Sequence, residues 1–338
     1  MAPLAQTLAL LAMTVATTAV EEVTLDMAED SFDDQYQGCG SAMTVALPAL
    51  NRSEFQQSPL FAQVWPQARA KWQSRGSPLS PLSSPAQAIA LMAYTMKNQL
   101  LYMKFNEAVR VAGRSRQEYR DKFHFKTLHF LLTDALATLR QAQKRQCHNV
   151  YRGANKPFNA KMGDIVRFGQ FASTSQSETI AKGFGGATVF QVYTCHGVGI
   201  QEFSNKPDEK EVLIPPFETF KVTSYTQTEN ERKIELRSYG THSNYNCEWL
   251  QVTVVATVTV VAMVTLVIWV TTVAMVASVL MVTMVATVGM VTSWVTVGTM
   301  VMLTMVVAMP RVARVVTEAK VATVAIVAIM ATVVPVDK

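Results

Sequence analysis

Glu209-Lys210-Glu211-Val212-Leu213-Ile214-Pro215-Pro216-Phe217-Glu218-Thr219-Phe220 is the stretch on which the reading of this chain turns. In an extended backbone the period of two puts Glu209 and Glu211 on one face and Lys210 on the other. Two like charges side by side are costly unless something uses them. Val212-Leu213-Ile214 supply an apolar anchor behind the pair, and Pro215-Pro216 end the pairing edge.

Outward from this stretch the chain divides by composition. Of its 338 residues 49% are apolar, with four cysteines, five histidines and a formal net charge of +5. Residues 20–251 are mixed as in a soluble domain, whereas Val252 to Pro310 contain no charged side chain. The positive charge forms no long Lys/Arg stripe and no zinc-finger spacing occurs, so a nucleic-acid partner is not expected. Residues 1–19 combine Leu4, Leu8, Leu10, Leu11, Met13 and Val15 with small residues and no charge. They read as a signal peptide, with Thr17 and Ala19 at the small positions before the cut. The acidic run Glu21, Glu22, Asp26, Glu29, Asp30, Asp33 and Asp34 then reads as a solvated mature end.

Entry into an oxidising compartment makes Cys39, Cys147, Cys195 and Cys247 two expected disulfides, with three possible pairings. Their spacing matches no compact zinc motif, and no metal is expected. Asn51-Arg52-Ser53 is an N-glycosylation acceptor and implies a surface loop.

Pro48, Pro59, Pro66, Pro78, Pro81 and Pro85 punctuate the next stretch, which reads as short helical turns and loops pinned to a core by Trp65 and Trp72. A helix is expected from Ser84-Pro85, with Ile89, Met92, Met96, Leu100 and Met103 on one stripe and its end at Gly113. A second is expected from about Arg120 to Lys144, with Phe125, Leu128, Leu132, Ala135 and Leu139 facing the core and His124 and His129 structural. Short extended runs follow at Val150–Arg152, Ile165–Phe171, Thr188–Tyr193, Glu211–Ile214, Thr219–Thr223, Lys233–Ser238 and Tyr245–Gln251. Helices first and strands second predict an α+β domain with a mixed or antiparallel sheet. No Gly-x-Gly-x-x-Gly fingerprint is present, and Gly183-Phe184-Gly185-Gly186 is not a Walker loop.

Residues 252–338 form a Val/Thr/Met/Ala tail with recurring units such as Met263-Val264-Thr265, Met281-Val282-Thr283 and Met290-Val291-Thr292. Its uncharged length far exceeds the roughly 20 residues of one membrane span. Val and Thr favour strands, however, which cannot sit unpaired in lipid. A membrane-associated tail and a translated repetitive tract are both open readings.

Tyr151-Arg152-Gly153, Phe171-Ala172-Ser173-Thr174-Ser175, Glu209-Lys210-Glu211 with Val212-Leu213-Ile214-Pro215-Pro216, and His242-Ser243-Asn244-Tyr245-Asn246-Cys247-Glu248 occur in that order. Together with Phe123 to Leu132 they resemble the vertebrate arginine-specific mono-ADP-ribosyltransferases of the ecto-enzyme family, over roughly residues 22–251. That resemblance implies a split, non-Rossmann NAD-binding sheet, with NAD as co-substrate and NADP as the alternative to it. Its acceptors would be arginine-bearing extracellular or luminal proteins, and the catalytic domain would be monomeric. By the same resemblance Arg152 would hold the NAD phosphates, Gly153 would allow close backbone approach, and Ser173 would support the nicotinamide-ribose end. Glu211 would be the catalytic glutamate, Glu209 would select arginine, and Phe184 would lie near the nicotinamide. The family pattern pairs Cys39 with Cys247 and Cys147 with Cys195.

The implied activity is transfer of ADP-ribose from NAD to an arginine guanidinium with release of nicotinamide. Two alternatives stay open: NAD glycohydrolysis, with water as acceptor, and an inactive disulfide-braced binding ectodomain. The implied location is the secretory pathway, secreted or at the cell surface. The tail fits a lipid-anchor signal poorly, being interrupted by Arg311, Arg314, Glu318 and Lys320.

Overall fold

The structure, a computed structural model, describes residues 22–96, 100–229, 231–251 and 264–280. Chain contacts separate residues 1–256 from residues 257–338. The proposed signal peptide and nearly all of the tail lie outside the described residues. Within the second unit, residues 264–280 form a helix whose side chains are exposed almost throughout. No described helix is long and apolar enough to cross a membrane.

In the first unit six helices precede the main sheet: α1 (Gly40–Gln57), α2 (Pro59–Ser74), α3 (Pro85–Thr95), α4 (Leu101–Ala112), α5 (Arg116–Lys122) and α6 (Lys126–Ala142). Of the proline-rich stretch read as short helical turns and loops, Pro48 and Pro66 lie inside the regular helices α1 and α2, whereas Pro78 and Pro81 lie in the connection between α2 and α3. A helix-interior proline costs about 3 kcal/mol. Burial of Phe61, Val64, Trp65, Ala68 and Trp72 along one face of α2 offsets that cost. Pro59 does act as a start signal, occupying the first helical position after the cap Ser58, whose hydroxyl accepts from the Phe61 amide.

The helix expected from Pro85 to Gly113 is broken in two. Its start is as read: Ser84 and Gln87 form a capping box around Pro85. α3 stops at Thr95, and Leu100 takes a left-handed φ of 57° before α4 resumes. Every residue from Gln87 to Thr95 is buried, so α3 is a central helix rather than an amphipathic one. The second expected helix likewise begins later, as α6, with the short α5 ahead of it. His129 on α6 is fully buried between the Tyr36 hydroxyl, 2.9 Å from Nδ1, and the Phe32 carbonyl.

The strands are β1 (Val23–Thr24), β2 (His148–Ala154), β3 (Phe158–Asn159), β4 (Ile165–Val166), β5 (Ala172–Ser175), β6 (Thr188–Thr194), β7 (Val198–Gly199), β8 (Glu211–Ile214), β9 (Glu218–Gln227) and β10 (Arg232–Thr241), with α7 (Glu178–Lys182) after β5. Eight of them form one mixed sheet in the order β4-β9-β10-β6-β2-β5-β8-β7. β6 and β10 run parallel, and the other ladders are antiparallel. The α+β, non-Rossmann class is as expected. Two extended runs are not: only Ile165–Val166 of the Ile165–Phe171 run is strand, and Tyr245–Gln251 ends in a helical turn after Cys247, whose φ is 57°.

The acidic run is not simply a solvated end. Asp33 and Asp34 have no exposed surface. Asp33 holds Arg167 Nη1 at 2.6 Å and accepts from the Asn244 and Tyr245 amides. Asp34 accepts from the amides of Tyr36, Cys247 and Glu248. Burial raises the Asp34 pKa, and those three amides pull it back. The pair thus latches residues 244–248 onto the start of the domain, where a disulfide joins Cys39 to Cys247. A second disulfide joins Cys147, just before β2, to Cys195, just after β6. Asn51 lies within α1, half-buried, and not in the surface loop that its sequon implied.

Candidate active site

The site is made by a failure of pairing at the centre of the sheet. β2 pairs with β6 over seven residues, but with β5 through the single pair Tyr151–Ser175. Beyond that point the two strands diverge and the sheet splits. A cleft of about 610 Å³ opens there, lined among others by Tyr94, Arg152, Gly153, Ser173, Phe184, Glu209 and Glu211. That volume is within the range of small-molecule sites.

Arg152 sits in mid-strand, opposite Phe190, rather than at a strand end. Its Nη1 donates to the Ser173 carbonyl at 2.7 Å, spanning the split. Removal from water lowers the Arg152 pKa, and Tyr94 and Glu211 oppose that effect. The guanidinium remains a cation, since arginine does not deprotonate in proteins. Gly153 is required by packing from below: a Cβ there would lie 2.3 Å from the Ala181 carbonyl oxygen and 2.4 Å from that of Gly185. The close approach it allows is that of α7 and the loop after it. Phe184 follows α7 and stands exposed on the rim of the cleft.

The acidic pair departs from the alternating-strand reading. Pro207–Glu209 form a turn of 3₁₀ helix, and Lys210 takes φ 48°, ψ 47°, in the left-handed region. Only Glu211 belongs to a strand, as the first residue of β8. Glu209 therefore reaches the cleft from a turn, where the left-handed Lys210 redirects the chain before the strand begins. Both glutamates line the same cavity nonetheless. Glu211 is 3% exposed, and the Ser204 hydroxyl stands 3.4 Å from its Oε2.

Ser-Thr-Ser, a common loop text, is the edge that holds this turn. Thr174 Oγ1 donates to the Val212 carbonyl at 2.6 Å, and Ser175 Oγ donates to the Glu209 carbonyl at 2.7 Å. The Gln176 amide donates to the Lys210 carbonyl at 3.2 Å. Ser173 itself pairs with Leu213, while Ser175 lies opposite Glu211. The sequence reading quoted Ser175 within its motif but gave it no role, and it passed over Ser204, which no local signal marked. It also passed over Tyr94, which closes the floor of the cleft. The Tyr94 hydroxyl donates to the Phe171 carbonyl at 2.9 Å and accepts from Asn106 Nδ2 at 3.0 Å, and burial pushes its pKa up to about 12.

Chemically, the cleft combines a half-buried guanidinium, a hydroxyl-lined strand and two carboxylates of different backbone origin. A cation on one lip suits an anionic bridge such as a diphosphate. A nearly buried carboxylate facing the same space suits a developing positive charge.

Comparisons with known proteins agree with this geometry. The family model for NAD:arginine ADP-ribosyltransferase matches residues 25–244. The chain is 50% identical over 235 residues to the erythroblast NAD(P)(+)--arginine ADP-ribosyltransferase of Gallus gallus, covering 69% of this chain and 78% of that protein. It is 45% identical over 250 residues to the GPI-linked NAD(P)(+)--arginine ADP-ribosyltransferase 1 of Homo sapiens, covering 68% and 76%. Among solved structures, the eucaryotic mono-ADP-ribosyltransferase ART2.2 superposes with a TM-score of 0.59 at 35% identity, covering 67% of this chain and 98% of that one. A variant of ART2.2 in complex with NAD superposes at 0.58, with the same identity and coverage. With its split sheet, its paired glutamates and these relatives, the chain belongs to the NAD:arginine ADP-ribosyltransferase family.

Proposed function

We propose that this protein transfers ADP-ribose from NAD to arginine side chains through the cleft between β2 and β5. The observation that carries the reading is the convergence of Arg152, Ser173, Glu209 and Glu211 on one cavity from three separate stretches of chain. Arg152 holds the diphosphate of NAD through charge-assisted hydrogen bonds. Ser173 supports the nicotinamide-ribose end, and Phe184 lies by the nicotinamide from the rim. Glu211 stabilises the oxocarbenium-like sugar as the bond from C1′ to the nicotinamide nitrogen breaks and nicotinamide leaves with the bonding pair. Glu209 orients the incoming guanidinium. One guanidinium nitrogen bonds to C1′ and gives up a proton as it does so. Deprotonation before attack is disfavoured, because a free guanidinium holds its proton far above neutral pH, so the proton passes to water as the bond forms.

Hydrolysis of NAD is the second reading, because the same pocket admits water in place of the guanidinium. The two separate on their products: label from NAD appears on an arginine analogue or protein arginine in transfer, and as free ADP-ribose in hydrolysis. Absence of both products in the purified full chain would leave only the inactive binding domain. Names of several relatives carry "GPI-linked", and two disulfides join the first unit. These support passage through the secretory pathway and acceptors outside the cytosol.

A further inference from the structure

Ser204, whose hydroxyl reaches Glu211, is itself held from the helical half of the domain. The hydroxyl stands 3.4 Å from Glu211 Oε2, at the long end of a hydrogen bond, so a small displacement of Ser204 decides whether that contact exists. It also accepts from the Lys206 amide at 3.1 Å, which leaves its one hydrogen for the carboxylate. Ser204 has no exposed surface and lies outside any helix or strand, so contacts from elsewhere must fix its backbone.

Those contacts set both peptide planes around it. On one side the Ser204 amide donates to the Ile200 carbonyl at 2.9 Å, and the Ile200 amide in turn donates to the Glu211 carbonyl at 3.0 Å. On the other, the plane joining Ser204 to Asn205 is gripped at both ends. Its carbonyl accepts from Arg75 Nη1, and its N–H donates to Thr95 Oγ1 at 2.8 Å. Arg75 Nη2 reaches the next carbonyl, that of Asn205, at 3.1 Å. With both planar units held, the backbone angles of Ser204 are held, and only rotation about its Cα–Cβ bond is left to the hydroxyl.

The two gripping side chains come from the ends of neighbouring helices: Arg75 caps α2, and Thr95 is the last residue of α3. Thr95 is buried and donates back to the Leu91 carbonyl at 2.9 Å, so its lone pairs are aimed at the loop. Arg75 is half-buried and forks onto two successive main-chain oxygens, a geometry that a lysine meets only in part. Hydrogen bonds from a charged donor are about twice as strong as neutral ones, which makes Arg75 the firmer half of the grip.

We propose that Arg75 is a positioning residue for the reaction, with Thr95 as its partner: together they hold the Ser204–Asn205 peptide so that the Ser204 hydroxyl stays on Glu211. This rests on the reading of Glu211 as the group that stabilises the sugar while nicotinamide leaves. The grip acts toward Glu211 and not toward Glu209, whose carbonyl is held by Ser175, so it governs transfer and hydrolysis alike.

The experiment is steady-state kinetics on the full chain with Arg75→Ala, Ser204→Ala and the double variant, counting labelled arginine analogue and free ADP-ribose. Each single variant is expected to lower kcat about 5- to 20-fold in both reactions, with KM for NAD and for the acceptor within about twofold of wild type. The double variant is expected to match Ser204→Ala within about twofold, since a grip that works through the hydroxyl has nothing left to place once the hydroxyl is gone. Arg75→Lys, which reaches one of the two carbonyls, should recover part of the loss. Thr95→Val, which keeps the shape and removes the hydroxyl, carries the same comparison with Ser204→Ala if Arg75→Ala does not fold. Losses that multiply in the double variant, a raised KM with kcat intact, or a silent Arg75→Ala each overturn the assignment. Glu211→Gln run alongside separates the two claims: if it leaves both rates intact, the role given to Glu211 falls and this inference with it; if it alone is impaired, only this inference falls.

Discussion

Arg152 and Ser173 sit on opposite lips of the split sheet, and the guanidinium Nη1 reaches the Ser173 carbonyl at 2.7 Å. One of its five N–H groups is thereby committed to keeping the lips in register, and its plane is set before any ligand arrives. Arg152→Lys should accordingly behave as a loss, since a lysine ammonium cannot both span the gap and fork to a phosphate. We expect kcat/KM for NAD to fall about 100-fold, or roughly 3 kcal/mol, with KM carrying most of the change. Steady-state kinetics with an arginine analogue checks this, and a lysine variant within threefold of wild type would remove the fork from the argument.

The two glutamates should separate on the product formed. Glu211→Gln is expected to lose transfer and hydrolysis together, by about 100-fold or more. Glu209→Gln is expected to lose transfer while NAD hydrolysis persists. Ser175→Ala, which frees the Glu209 carbonyl, should lower transfer about 5- to 10-fold with less effect on hydrolysis. Parallel counting of labelled acceptor and free ADP-ribose gives both rates, and equal losses in Glu209→Gln would refute its role toward the acceptor.

Asp33 and Arg167 form a salt bridge with no exposed surface on either side chain. Asp33→Asn strands a buried cation and weakens the latch on residues 244 and 245. Denaturant unfolding should show a loss of about 3 to 5 kcal/mol. A loss below 1 kcal/mol would mean that the latch is not needed for the domain to close.

His129 gives the fold a defined response to acid. Burial lowers its pKa to about 3 from an ordinary value near 6.5. Between those values the unfolded chain takes up a proton that the folded chain refuses, so acid favours unfolding. The contribution is constant above about pH 6.5 and is lost progressively as pH falls toward 3, at up to about 1.4 kcal/mol per pH unit. Buried Glu54 and Glu218, whose pKa values burial raises, act in the opposite sense. Comparing urea midpoints for wild type and His129→Gln from pH 7 to 4 isolates the histidine, and the variant should show the shallower acid slope.

Much of this architecture was legible because it rests on pattern. The cap at Ser84 with Pro85 at the first helical position is a local signal, the apolar stripe of α6 follows from helical spacing, and Glu211–Ile214 is a strand with the expected bounds. What escaped depends on distant partners. Pro48 and Pro66 read as breakers because the burial that outweighs them comes from other helices. Asp33 and Asp34 read as solvated because their partners, Arg167 and residues 244–248, lie more than 130 residues away. Ala172–Ser175 was quoted as a motif but not expected as a strand, although its edge bonds fix the acidic turn. The site residues themselves were found through a motif, whereas Tyr94 and Asn106 needed the folded chain to bring them in.

Lys210 is a single L-residue twisted into the mirror half of conformational space, and it uncouples its two neighbours. In an uninterrupted ribbon, altering one carboxylate would disturb the setting of the next. Here the upstream position can be exchanged while the downstream one keeps its seat in β8. On the roles proposed above, the choice of what receives the sugar can drift during evolution, or be redesigned in the laboratory, while the bond-breaking apparatus stays as it is.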